Sequence, residues 1–176
     1  DIAKKVKKLI KKILPISAYQ IVVTKDYVMV RLFNKVLFKE NSLKLTPEAK
    51  KALDKIAEVI KSLKGNFLIT VEGHTSKDEP TVPMKNVLDS WDLSIYRAAV
   101  VARYLISKGV DPKKVEIVGY DAVRPLYTWN NPILQARNRR VEIYINVNVQ
   151  RETTEEEKII KKKEELPKKE PNSGKR

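Results

Sequence analysis

The residues able to do chemistry in this chain are few, and their types point to binding rather than catalysis. There is one histidine, His74, and no cysteine, so thiol catalysis, a disulfide framework and cysteine-ligated metals are excluded. His74 stands without a serine and an aspartate spaced as a nucleophilic triad, and no cluster has metal-ligand spacing. It reads as a structural residue at a strand end. The five glycines, at 65, 73, 109, 119 and 174, form no phosphate-cradling loop. Polar residues collect in three places instead: Gly73-His74-Thr75-Ser76, the stretch from Ser90 through Trp91, Asp92 and Ser94 to Arg97, and Asn138-Arg139-Arg140. A guanidinium presents parallel N–H donors that match a carboxylate, so Arg97 and Arg139 form a candidate acid-binding pair. An internal ion pair for Arg97 and a plain surface charge for Arg139 fit the spacing equally well.

Those residues need a scaffold that brings three segments to one edge. Ile2, Val6, Leu9, Ile10 and Ile13 make one helical stripe over residues 1–14, with lysines opposite and Pro15 as the stop. This basic helix packs on the domain, on a second copy, or along a membrane surface. Tyr19–Thr24 and Tyr27–Phe33 predict a hairpin whose Lys25-Asp26 break lacks glycine. Thr46-Pro47 is an N-cap followed by proline at the first helical position, and Leu53, Ile56, Ile60 and Leu63 carry that helix to Gly65. Residues 67–71 predict an interior strand, 73–92 a long loop holding Pro80 and Pro83, 93–108 a helix, and 114–118 a strand. Residues 120–138 read as irregular. Residues 140–147 alternate as the last strand, with Glu142 and Tyr144 facing away from the inward valine and isoleucines. The order implies an α/β two-layer sandwich, a mixed sheet with helices on one face. In such a sheet, strand and helix ends converge at one edge.

The 176 residues suit one domain with extensions: a basic linker helix at 1–18, a domain at 19–149 and a charged tail at 150–176. Residues 155–165 are able to form a charged helix, but with little apolar surface to dock they are expected to be largely solvated. Hydrophobic residues are 42% and charged residues 33%, a globular composition. No apolar run reaches the length of a membrane span. The chain opens on Asp1, not Met, and reads as a piece of a longer protein. The net charge of +14 raises nucleic acid as a partner. Much of that excess lies at the two ends, six lysines falling in residues 1–18, which argues against a nucleic-acid footprint.

The ordered motifs Val71-Glu72-Gly73-His74-Thr75, Ser90-Trp91-Asp92-Leu93-Ser94 with Arg97-Ala98, Gly109-Val110-Asp111-Pro112, Val118-Gly119-Tyr120, Arg124-Pro125 and Arg137-Asn138-Arg139-Arg140-Val141-Glu142-Ile143 resemble the OmpA-like peptidoglycan-binding family over about residues 27–147. The Trp-Asp-Leu-Ser form and the lengthened loop before it resemble the MotB branch, the flagellar stator subunit, and the type VI secretion protein TssL shares much of this form. The resemblance implies a non-catalytic, cofactor-free domain that holds the diaminopimelate residue of the peptidoglycan stem peptide. It implies Arg97 as the carboxylate grip, Arg139 as its helper, and Thr75, Ser76, Ser90 and Asn41 around the pocket. Family members carry an aspartate where this chain has Ser76, a change that removes a charge, and Asp78 or Glu79 is able to replace it through a shifted loop. A MotB-like protein would be a periplasmic homodimer anchored in the inner membrane by a segment upstream of Asp1, beside a MotA-like subunit. A lipoprotein of the Pal type, or a structural module with weakened wall binding, is the alternative context.

Overall fold

The computed structural model describes residues 1–80, 84–149 and 153–168. The elements are α1 (Ile2–Ile10), β1 (Tyr19–Val23), β2 (Tyr27–Phe33), α2 (Asn34–Leu37), α3 (Pro47–Lys61), β3 (Leu68–His74), α4 (Ser90–Ser107), β4 (Val115–Gly119), α5 (Pro132–Asn138), β5 (Arg140–Asn146) and α6 (Glu155–Glu165). The five strands lie in the order β1-β2-β5-β3-β4, with β3 and β4 parallel and every other pair antiparallel. This is the mixed α/β sandwich expected. The glycine-free hairpin closes on a side chain, the Thr24 hydroxyl accepting from the N–H groups of Asp26 and Tyr27.

One sheet face carries Val30, Leu32, Ile69, Val71, Val141, Ile143 and Ile145, all buried. Against it pack Val6 and Ile10 of α1, Leu53, Ile56 and Ile60 of α3, and Ala98, Val101 and Leu105 of α4. The stripe of α1 is therefore spent inside the domain, and its lysines face outward. A helix whose apolar side is already buried has none to insert into a bilayer. No helix among the described residues is long and apolar enough to cross a membrane.

Several elements begin or end at residues other than those the sequence predicts. β3 runs on through His74, paired with both β5 and β4 up to Gly73 and with β5 at His74. α4 begins at Ser90, three residues before the expected start, because the Asp89 side chain caps it by accepting from Asp92 N–H. The loop between them is correspondingly shorter, and its residues 81–83 lie outside those described. Residues 132–138, expected as irregular, are helical, and so are residues 34–37; Asn131 caps α5 by accepting from the N–H groups of Ile133 and Leu134, with Pro132 in its first turn. In the tail, α6 is helical with every residue exposed, while 150–152 and 169–176 lie outside the described residues.

Gly73 decides how α4 meets the sheet. A Cβ there would fall 1.8 Å from the Ser94 carbonyl oxygen. Only glycine lets the first turns of α4 lie directly on the end of β3, which is what places Arg97 over the strand's last carbonyl.

Candidate functional site

Three segments meet at the C-terminal end of β3: the turn after that strand, the start of α4, and the α5–β5 junction. Beside them lies a cleft of about 480 Å³. Its polar wall includes Asn34, Lys35, Asn41, Glu79, Arg97 and Arg139, and its apolar wall includes Phe38, Met84, Val87 and Leu93. Arg97, Arg139 and Asn41 thus converge from three distant stretches of sequence. Asn41 stands at φ 54, in the left-handed region where asparagine is tolerated.

Arg97 is not open to the cleft in the way a free ligand clamp would be. It is 5% exposed and paired with an acid of its own chain. Its Nη2 donates to Glu79 Oε1 at 2.5 Å and its Nη1 to Glu79 Oε2 at 3.1 Å, while Nη1 also donates to the His74 carbonyl at 3.3 Å. Arg139 is looser: Nη1 donates to the Ser76 hydroxyl at 2.9 Å and to Asp78 at 3.3 Å. The Ser76 hydroxyl donates in turn to Asp78 Oδ1 at 2.6 Å. Position 76 therefore carries no charge itself but is hydrogen-bonded to one two residues on.

The remaining expected residues sit around the cleft without lining it. Thr75 is buried and ties the end of β3 to the turn after β4, its N–H donating to Asp121 O and its hydroxyl to Asp121 Oδ1. Ser76 is buried, Asp78 pairs with Arg139 of the cleft wall at 3.3 Å, and Ser90 opens α4. Glu79, expected from sequence only as a stand-in for the aspartate missing at position 76, belongs to the lining. So does Asn34, which sequence reasoning did not assign to the site; its backbone N–H donates to Arg139 O at 2.8 Å, and its Oδ1 is buried with no hydrogen-bond partner. Leaving such an acceptor unmet costs roughly 1–3 kcal/mol.

Behind the site, the outer face of the sheet holds a buried ion cluster. Arg31 and Glu142 are cross-strand partners, joined at 2.7 Å, and Arg140 Nε reaches the same Glu142 oxygen at 2.8 Å. Tyr144 donates to the other oxygen at 2.9 Å. Burial alone would raise the Glu142 carboxyl, but Arg140 and Arg31 outweigh it and hold it at about 2. Burial, followed by the Glu142 charge, pushes the Tyr144 phenol above its ordinary range. His74 Nε2 lies 3.2 Å from Glu72 and 3.8 Å from Glu142, with its ring stacked on Tyr120. Glu72, His74 and Glu142 have the donor types of a metal site. Glu142 is already committed to two guanidinium groups and a phenol, so a further cation there would face two positive neighbours; the cluster fits an ion-paired scaffold. Arg140 extends it to the site by donating to Asn138 O and Arg124 O, both at 2.9 Å.

A model described as the OmpA family matches residues 37–139. The peptidoglycan-associated lipoprotein of Pseudomonas aeruginosa is 38% identical over 119 residues, 67% of this chain and 66% of that protein. The chain thus spans just under two thirds of that relative's length. Among solved structures, a MotB like protein from Desulfovibrio vulgaris matches with a TM-score of 0.72 at 22% identity, over 82% of this chain and 91% of the other. The cell wall anchor of the T6SS from Pseudomonas aeruginosa matches with a TM-score of 0.72 at 25% identity, over 84% and 98%.

Proposed function

The chain belongs to the OmpA family, and on that premise we propose that its cleft binds peptidoglycan through a carboxylate of the diaminopimelate stem-peptide residue, anchoring an envelope complex to the wall without catalysis. The observation that carries this is the convergence of Arg97 and Arg139 on one cleft. Arg97 is the carboxylate grip. Arg139 spends only Nη1 on Ser76 and Asp78, so its Nε and Nη2 remain for the ligand. Thr75, Ser76, Ser90, Asp78 and Asn41 position this wall.

The finer reading is a MotB-type stator domain: periplasmic, dimeric, and linked to the inner membrane and a MotA-like subunit by a segment before Asp1. The Trp91-Asp92-Leu93-Ser94 form and the MotB-like structural match support it. A second context is favoured by the 38% identity to a peptidoglycan-associated lipoprotein and the match to a secretion-system wall anchor. Residues upstream of Asp1 separate the two: an apolar helix bearing one aspartate marks a stator, and a lipidated cysteine marks a lipoprotein.

Co-sedimentation with purified peptidoglycan tests the binding itself. Wild-type chain pellets, Arg97→Ala and Arg139→Ala each pellet markedly less, and wall material whose diaminopimelate carboxylate is amidated captures less of the wild type. Unchanged pelleting of both folded variants would remove the pair from the site. A polyanion-driven interaction would show itself differently, through a steep loss with salt that ignores amidation.

A further inference from the structure

The carboxylate receptor at the cleft is already filled, by the chain itself. Glu79 closes a tight turn, its N–H donating to Ser76 O at 3.1 Å. Its side chain folds back, so that Oε2 accepts from Ser76 N–H and Arg97 Nη1, each at 3.1 Å, and Oε1 accepts from Arg97 Nη2. Two parallel bonds from one guanidinium plus a backbone N–H are the contacts a bound ligand carboxylate would make. The Glu79 side chain is 11% exposed and forms part of the cleft wall, so the cleft is its way out.

We propose that Glu79 is a built-in competitor: it occupies the Arg97–Ser76 receptor in the unliganded protein and yields it to a carboxylate of the cleft ligand. This deepens the wall-binding reading and rests on it for the identity of that ligand. The charges favour exchange over addition. A carboxylate arriving beside an undisplaced Glu79 would put two anions on one guanidinium. An ammonium docking on Glu79 would put a second cation beside Arg97. Exchange leaves one of each, and the buried guanidinium is never left unpaired, a state that costs several kcal/mol. Apparent affinity is then the intrinsic affinity multiplied by the fraction of molecules with Glu79 displaced.

Two variants test this in the full chain. Glu79→Gln keeps size and an acceptor but loses the charge, and should bind meso-diaminopimelate and peptidoglycan about tenfold tighter or more, the factor set by how rarely Glu79 lets go. Glu79→Ala leaves Arg97 without its partner and should melt lower than wild type. Acetate should raise that melting temperature where chloride at equal ionic strength does not, because a ligand of the folded state alone stabilises it. The wild type, and the double variant Glu79→Ala with Arg97→Ala, should show no such rise. Equal or weaker binding by Glu79→Gln overturns the exchange, weaker binding making Glu79 a ligand contact. Absence of acetate rescue overturns it independently. If acetate rescues Glu79→Ala but no variant pellets with peptidoglycan, exchange stands and the wall reading falls. If Arg97→Ala abolishes pelleting while Glu79→Gln matches wild type, the wall reading stands and exchange falls.

Discussion

Acid should loosen the outer face of the sheet within a defined window, and Glu142 sets that window. Its carboxyl is held at about 2 against an ordinary 4.5, because Arg140 and Arg31 outweigh the effect of burial. Between those two values the unfolded chain carries the proton and the folded chain does not. Stability therefore rises with pH there: the contribution is complete above 4.5 and is lost as pH falls through about 2. At about 1.4 kcal/mol per pH unit the gap corresponds to roughly 3 kcal/mol. The Glu142 and Arg140 side chains are only 4% and 3% exposed, so solvent screening takes little from that figure. Glu142→Gln would leave the buried Arg140 guanidinium and the part-buried Arg31 guanidinium facing a neutral amide, at a cost of about 3–5 kcal/mol near neutral pH. The assay is urea unfolding of wild type and variant from pH 7 down to 2.5. Other carboxylates bend both curves alike, so the quantity to follow is their separation. It should stay wide above pH 4.5 and narrow below, by up to about 1.4 kcal/mol per unit. A separation that stays constant down to pH 2.5 would refute the argument that these arginines hold Glu142 ionised.

Two further substitutions probe how the site is positioned. Gly73→Ala would drive a Cβ into the Ser94 carbonyl, which no rotamer change relieves, and should cost more than about 3 kcal/mol in urea unfolding or prevent folding outright. Asn138 is buried, accepts from the N–H groups of Leu126 and Tyr127, and donates to Tyr127 O and Gln135 Oε1. Asn138→Ala should therefore cost about 3 kcal/mol, and amide hydrogen exchange at Leu126 and Tyr127 should accelerate relative to the strand core.

The elements that sequence periodicity revealed are the ones whose side chains must repeat to build a core. The stripe of α1, the Thr46-Pro47 start of α3 and the alternation of β5 all follow from the face each element buries. What escaped was too short for a period or was specified by a cap. Four-residue α2 offers barely one turn. The start of α5 is written in Asn131-Pro132, a cap and a first-turn proline, but its surroundings of proline and tryptophan resemble a loop. The end of β3 holds Gly73, a poor strand former, and His74, both held in the sheet by pairing with β5. Tertiary contact decided those residues, and no local pattern announces it. The ion cluster hides for the same reason: Glu142 reads as an outward polar position, yet Arg31 opposite and Arg140 beside it make it a buried one.

The site shows the same division. Arg97, Arg139 and Asn41 could be picked out from residue type and motif order, but the partner of Arg97 could not, because it depends on a turn that brings Glu79 back onto the N–H of Ser76. From spacing, an internal ion pair and a ligand grip were rival explanations of Arg97. The geometry makes them compatible. A guanidinium 5% exposed must be neutralised before any ligand arrives, or the domain carries an unpaired buried charge while the cleft is empty. A helix-borne arginine that is to meet a wall carboxylate therefore needs a surrogate anion able to leave, and the cleft lies on the side where Glu79 would go. On this reasoning the ion pair is a precondition of the binding role. The loss of charge at Ser76 then matters less than it appears from the motif alone, since Asp78, which accepts from the Ser76 hydroxyl, returns one negative charge to the same turn.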